Sequence, residues 1–232
     1  MLRSNRGTAR PHRLILAVLA CALALGGTGA VSARSVAADT AIPPLLDLLG
    51  TSVGYIGCSQ STGSVEGYHE IGGARFWPTV EYGGGSVSRW ADPTANGEYW
   101  ARFDQNMRQR PATTIWWQLC ILTGDADANF NDARTVLLQL RQHTAFLSQI
   151  YVSAQNGYVA PHVCGMGPPN AEAIAQEVAD RLTALGVLRG PMMSDLRGPD
   201  SNGFGPNETT DGCHPNGIGR TKLGANLRAF FG

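Results

Sequence analysis

The chain has 232 residues, 43% hydrophobic and 16% charged, with 18 basic and 18 acidic residues and no net charge. That fits one globular domain plus a leader, and the 29 glycines and 13 prolines indicate long loops without collagen-like or low-complexity character. The electrostatic footprint of a nucleic-acid binder is absent; every basic residue except Lys222 is arginine, which reads as a composition bias.

Residues 1–33 have the form of a secretory signal. Arg3, Arg6, Arg10 and Arg13 precede an apolar run, Leu14 to Leu25, that is too short to span a bilayer comfortably. Val31-Ser32-Ala33 offers small residues for cleavage, and Cys21 belongs to the apolar run. Removing this leader leaves 14 basic against 18 acidic residues, a net charge of −4. Residues 34–50 read as an N-terminal arm, and 51–232 as the folded domain. No second apolar segment follows, so the expectation is an exported, extracellular monomer with no stable membrane insertion.

Within the domain, Ser52 to Gly57 reads as a short buried strand. Residues 95–110 read as a helix ended by Pro111. Thr113 to Cys120, with Ile115, Trp116 and Trp117, is a strand buried on both faces. Asn131 to Phe146 carries Val136, Leu137, Leu140 and Phe146 at helical spacing. Gln149 to Ser153 is a further strand. Asn170 to Leu185 is a helix with Ile174, Val178, Leu182 and Leu185 on one stripe, and Gly217 to Phe231 is the last helix. Strands alternating with helices predict parallel βαβ units and an α/β sandwich. Such folds place their sites at the carboxyl ends of strands, here the segments after Gly57, after Trp117 and after Ser153.

Two of these residues groups carry chemistry. Gly57-Cys58-Ser59-Gln60-Ser61 follows the first strand, and a serine at a tight turn there exposes its hydroxyl and offers its own backbone N–H to an oxyanion. Asp211-Gly212-Cys213-His214-Pro215-Asn216 precedes the last helix, and its spacing lets Asp211 turn toward the His214 imidazole, as an acyl-transfer base requires. Cys58, Cys120, Cys164 and Cys213 remain after the leader. An even count in an exported chain indicates two disulfides, with three pairings open, and the spacing is not that of a zinc site. A thiolate at Cys58 is the alternative that this context disfavours. Asp125, Asp127 and Asn129 have the opening of a calcium loop, but Phe130 replaces its glycine and Val136 its bidentate acid. The acids therefore read as a helix N-terminus. Trp77, Trp90 and Trp100 fit a hydrophobic core better than a sugar-stacking wall.

Taken together, Gly-x-Ser-x-Ser after the first strand and Asp-x-x-His-Pro-Asn before the last helix resemble the SGNH/GDSL hydrolase superfamily, across nearly the whole domain. Cys213-His214-Pro215-Asn216-Gly217, followed by Gly219 and Lys222-Leu223-Gly224, is similar to that family's final block. Tyr82 to Trp90 is similar to its second block, in the form found in carbohydrate acetylesterases, with Val87 in the Ile place. The third block departs: Trp116-Trp117-Gln118 is followed by neither the glycine nor the asparagine of the family.

The resemblance implies a flavodoxin-like three-layer α/β/α fold and a secreted serine esterase needing no metal or organic cofactor. It implies Ser59 as nucleophile, His214 as base and Asp211 as its orienter, with Ser59, Gly84 and Gln118 as oxyanion donors. The implied sheet order ends adjacent strands at Cys58 and Cys120, which leaves Cys164 to pair with Cys213. The second block directs the expectation to short-chain, acetyl esters of carbohydrates, as small molecules or polysaccharides. The rival readings are a lipase, phospholipase or cutinase-like hydrolase of longer acyl esters, and a catalytically weak envelope or glycan-binding protein of the same fold.

Overall fold

The computed structural model describes residues 52–144, 148–198 and 207–232. The leader and the arm lie outside these, as does Phe146 at the end of one predicted helix. Four strands form the sheet: β1 (Val53–Ile56), β2 (Thr114–Leu119), β3 (Gln149–Ala154) and β4 (Leu188–Arg189). Six helices accompany them among the described residues: α1 (Ser59–Glu70), α2 (Val87–Ala91), α3 (Gly97–Gln109), α4 (Ala126–His143), α5 (Ala171–Thr183) and α6 (Gly217–Phe231).

The sheet is wholly parallel, in the order β1-β2-β3-β4. On the free side of β1, Phe76 makes a single parallel bridge to Val53. Adjacent parallel strands need crossovers, and here helices supply them. The register places Tyr55, Trp116 and Tyr151 in one row. That row meets Phe76 and, from α6, Phe231 at ring separations of 5.7–6.2 Å. The opposite face carries Ile115 beside Trp77, whose ring lies 5.1 Å from that of Phe103 on α3. Helices thus cover both faces, giving the three-layer α/β/α architecture of a flavodoxin-like fold.

The long, strongly patterned elements follow the sequence expectation within a few residues. α3 stops at Gln109, before Pro111, and α4 starts at Ala126, five residues before the predicted Asn131. The reason is Asp125, whose carboxylate accepts from the backbone N–H groups of Asp127 and Ala128, both at 3.0 Å. The acids of this segment are a helix N-cap. Trp77, Trp90 and Trp100 are all buried in the core.

Periodicity gave no sign of α1. Its first turns bury Gln60, Ser61, Thr62, Gly63 and Ser64, small or polar residues in place of an apolar stripe. Further along the helix, Gly67 is buried by the close approach of α6. A methyl group on Gly67 would sit 1.8 Å from the carbonyl oxygen of Arg220, and one on Gly224 would sit 2.2 Å from the Gly67 backbone. The backbones of the two helices touch, which only glycine at both positions permits.

Both disulfides are present: Cys58–Cys120 joins the carboxyl ends of β1 and β2, and Cys164–Cys213 joins the loop after β3 to the loop before α6. These are the pairings implied by the strand order. Among the described residues no helix is long and apolar enough to cross a membrane.

Gly67→Ala should lower stability by about 1–3 kcal/mol, because the added methyl forces the helices apart. Urea denaturation would register this as a lower midpoint at an unchanged slope.

Candidate active site

β1 ends at Ile56, and Gly57 turns the chain with φ +153 into Cys58, the N-cap of α1. Ser59 is thereby the first residue of the helix. Its backbone N–H belongs to the first turn and has no acceptor inside the helix. The Ser59 side chain is half-buried and reaches His214, with Oγ 2.9 Å from Nε2.

His214 is presented by a tight loop. Thr209 and Pro215 form an antiparallel bridge, the Thr210 N–H donates to the His214 carbonyl at 2.8 Å, and Gly212 takes φ +83 between them. Asn216 closes the loop by capping α6, accepting from the N–H groups of Ile218 and Gly219. Within it, one oxygen of Asp211 lies 2.6 Å from His214 Nδ1. The other oxygen accepts from the N–H groups of His214 and Cys213, at 2.8 and 3.0 Å. These hydrogen bonds, foremost those from His214, hold the Asp211 carboxyl down at about 2, against an ordinary 3.8. An ionised carboxylate only accepts, so Nδ1 carries the imidazole proton and the Nε2 lone pair faces Ser59 Oγ–H. This is the polarity that a serine nucleophile and its base require.

The Gly-rich segment that opens the second block, Tyr82 to Ser86, is a fixed turn. Gly85 N–H donates to Tyr82 at 2.9 Å, Ser86 N–H to Gly84 at 2.8 Å, and the Tyr99 hydroxyl to the Gly83 carbonyl at 2.9 Å. Gly84 has φ +69, a conformation that favours glycine. Ser86 then caps the short helix α2. From α2, the Trp90 indole N–H donates to the Gly57 carbonyl at 2.8 Å, which locks the Gly-rich turn onto the turn before Ser59.

Ser59, Gly84 and His214 border one cavity of about 670 Å³ at the carboxyl ends of the strands. Its far walls are mostly apolar and include Ile121, Leu122, Val163, Met166 and Pro168. Leu122, Val163 and Met166 are about half exposed. Gln118 does not join these residues. β2 continues through Leu119, so Gln118 lies inside the strand, fully buried and outside the cavity wall, and its amide has no hydrogen-bond partner among the described residues.

Two polar residues beside the site went unnoticed in the sequence. Gln60 is buried and donates to the Tyr158 hydroxyl at 2.7 Å, and Tyr158 donates to the Cys213 carbonyl at 2.6 Å. Burial pushes the Tyr158 phenol up to about 12, so it remains a neutral donor. The strand-end rule pointed to the segment holding Tyr158, but nothing in the residue pattern singles it out. His162, from the same segment, borders the cavity and hydrogen-bonds the Gly212 carbonyl. Among the described residues no group of three His, Cys, Asp or Glu side chains is arranged to hold a metal.

No protein-family model matches the chain, and a search of curated proteins finds no match.

A depressed carboxyl stabilises the folded state above its unfolded pKa and loses that contribution as pH falls through its folded value. The stability difference between the protein and Asp211→Asn should therefore shrink as pH falls from about 4 to about 2. Urea titrations of both proteins across that range would measure it.

Proposed function

We propose that the chain is an exported serine hydrolase that cleaves carboxylic esters through an acyl-enzyme. The observation that carries this reading is the continuous Ser59–His214–Asp211 relay opening onto a cavity. Ser59 Oγ attacks the ester carbonyl carbon while its proton passes to His214 Nε2. The C–O bond to the leaving group then breaks, and Nε2 returns the proton to the departing alcohol oxygen. Water enters, gives a proton to the same nitrogen and attacks the acyl carbon. Collapse of that intermediate releases the acid and returns the proton to Ser59. Throughout, the Asp211 carboxylate faces the imidazolium.

The oxyanion is held by the backbone N–H groups of Ser59 and Gly84. Gln118 contributes nothing there, being buried in the sheet. A hole short of one donor costs about 2.7–4 kcal/mol of transition-state stabilisation, so turnover is slow for this mechanism. The similarity of the first, second and final blocks to the SGNH/GDSL superfamily supports the same assignment of roles. The two disulfides suit an extracellular destination.

The walls favour an acyl group larger than acetyl. An acetyl group leaves most of a cavity of about 670 Å³ unfilled, and each buried methylene contributes about 0.8 kcal/mol. The acetyl-carbohydrate reading rests on the second block alone, and Trp90 of that block is buried in the core, where it cannot stack on a sugar. The intact relay argues against a purely binding role.

The test is hydrolysis of p-nitrophenyl esters from acetate to decanoate, by the protein and by Ser59→Ala. The expected result is a kcat/KM rising about two- to fourfold per methylene up to medium chains, and a loss of at least about 1,000-fold in Ser59→Ala. A preference for acetate would return the reading to the carbohydrate esterase. Equal rates in the protein and in Ser59→Ala would remove Ser59 as nucleophile.

A further inference from the structure

Ser59 and His214 are 155 residues apart, and one hydrogen bond of 2.9 Å joins them directly. A second connection joins the same two segments one residue away on each side. Gln60 follows Ser59, and its Nε2 donates to Tyr158 Oη at 2.7 Å. Cys213 precedes His214, and its carbonyl accepts from Tyr158 Oη at 2.6 Å.

The directions in this chain are forced. A carbonyl oxygen only accepts, so the single phenolic hydrogen goes to Cys213, and a phenol lone pair receives the Gln60 amide hydrogen. With its one hydrogen committed, Tyr158 cannot act as an oxyanion donor. Its place in the site is to hold other groups.

One packing contact also joins the two segments, Gly63 of α1 against Pro215, but it carries no hydrogen bond and lies on the far side of His214 in sequence from Cys213. The α1–α6 contact fixes the two helix bodies, but Asp211 and His214 lie ahead of α6. The Cys164–Cys213 disulfide and the His162–Gly212 hydrogen bond fasten the base loop to the loop after β3. Neither of them reaches the nucleophile turn, whereas Tyr158, through Gln60, does. Tyr158 also packs edge-on to His162, with ring centroids 5.5 Å apart, so the phenol sits on a braced segment.

We propose that Tyr158 is a positioning residue that, through Gln60 on one side and the Cys213 carbonyl on the other, sets the separation of Ser59 Oγ from His214 Nε2. The proposal rests on the serine-esterase reading. Gln60 and Tyr158 also border the cavity, but a displacement of 1 Å at reacting groups costs about 100-fold in rate, so loss of a bridge that holds this separation falls mainly on kcat.

The experiment is a double-mutant cycle with Tyr158→Phe, Gln60→Leu and both together, measuring kcat and KM for p-nitrophenyl butyrate with the purified, oxidised protein. Tyr158→Phe keeps the ring and removes only the hydroxyl. Its kcat should fall about 10- to 100-fold, with KM changing less than about twofold and the fold retained by circular dichroism. Because both residues act through one chain, the double variant should lose no more than the worse single variant. An unchanged kcat in Tyr158→Phe, a loss that falls mainly on KM, or losses that multiply in the double variant would each overturn the proposal. Should Tyr158→Phe fail to fold, Gln60→Leu breaks the same chain at its other end, and the same fall or constancy of its kcat decides. Ser59-dependent hydrolysis in the unsubstituted protein with a silent Tyr158→Phe overturns this inference alone. No Ser59-dependent hydrolysis at all overturns it together with the esterase reading.

Discussion

The site depends on how closely α1 and α6 approach. Contacts advance in step along both helices: Gly63 meets Pro215, and Gly67 meets Arg220 and Gly224. The helices therefore run in the same direction, with their first turns at the same end of the sheet. Ser59 begins one helix, and His214 lies just before the other. Two residues from opposite ends of the domain meet because two pairs of backbones are allowed to touch. Larger residues at Gly67 or Gly224 would separate the helices along their length and open the 2.9 Å contact at their starts.

Around this contact, short links fix each segment of the candidate site to its neighbours. Trp90 anchors the Gly-rich turn to the Gly57 carbonyl, and the Cys58–Cys120 disulfide ties the turn before Ser59 to the end of β2. The base loop is bound internally by Asp211, and to the cavity wall by Cys164 and His162. The first turn of α1 leaves the Ser59 N–H free of any helical acceptor and adds the positive end of the helix dipole, which favours a developing negative charge. The cavity combines a mostly apolar lining with polar groups that include Ser59 and His214. That combination is common to sites that orient an apolar ligand with a few fixed groups.

Much of this was legible in the sequence, for identifiable reasons. β2 announced itself through Ile115, Trp116 and Trp117, and α5 through Ile174, Val178 and Leu182, because burial there selects large apolar side chains. The Asp211–His214 spacing could be read because a single tight loop fixes its geometry locally. α1 was illegible for the opposite reason: contact between backbones selects glycine and serine, which carry no hydrophobic period. The resemblance made Gln118 an oxyanion donor, but β2 runs one residue past it, through Leu119, and its side chain is buried in the core. Gln60 and Tyr158 were invisible because their link spans 98 residues and has no sequence pattern. The walls of the cavity come from loops, where spacing says little about shape.

The most direct test of the central claim is covalent. A fluorophosphonate phosphonylates an activated serine hydroxyl, with loss of fluoride, and ignores ordinary ones, and peptide mapping by mass spectrometry locates the adduct. The account predicts a single adduct, on Ser59, that fails to form in His214→Ala. A protein left unmodified, or one modified at Ser61 or elsewhere while Ser59 stays free, would contradict it.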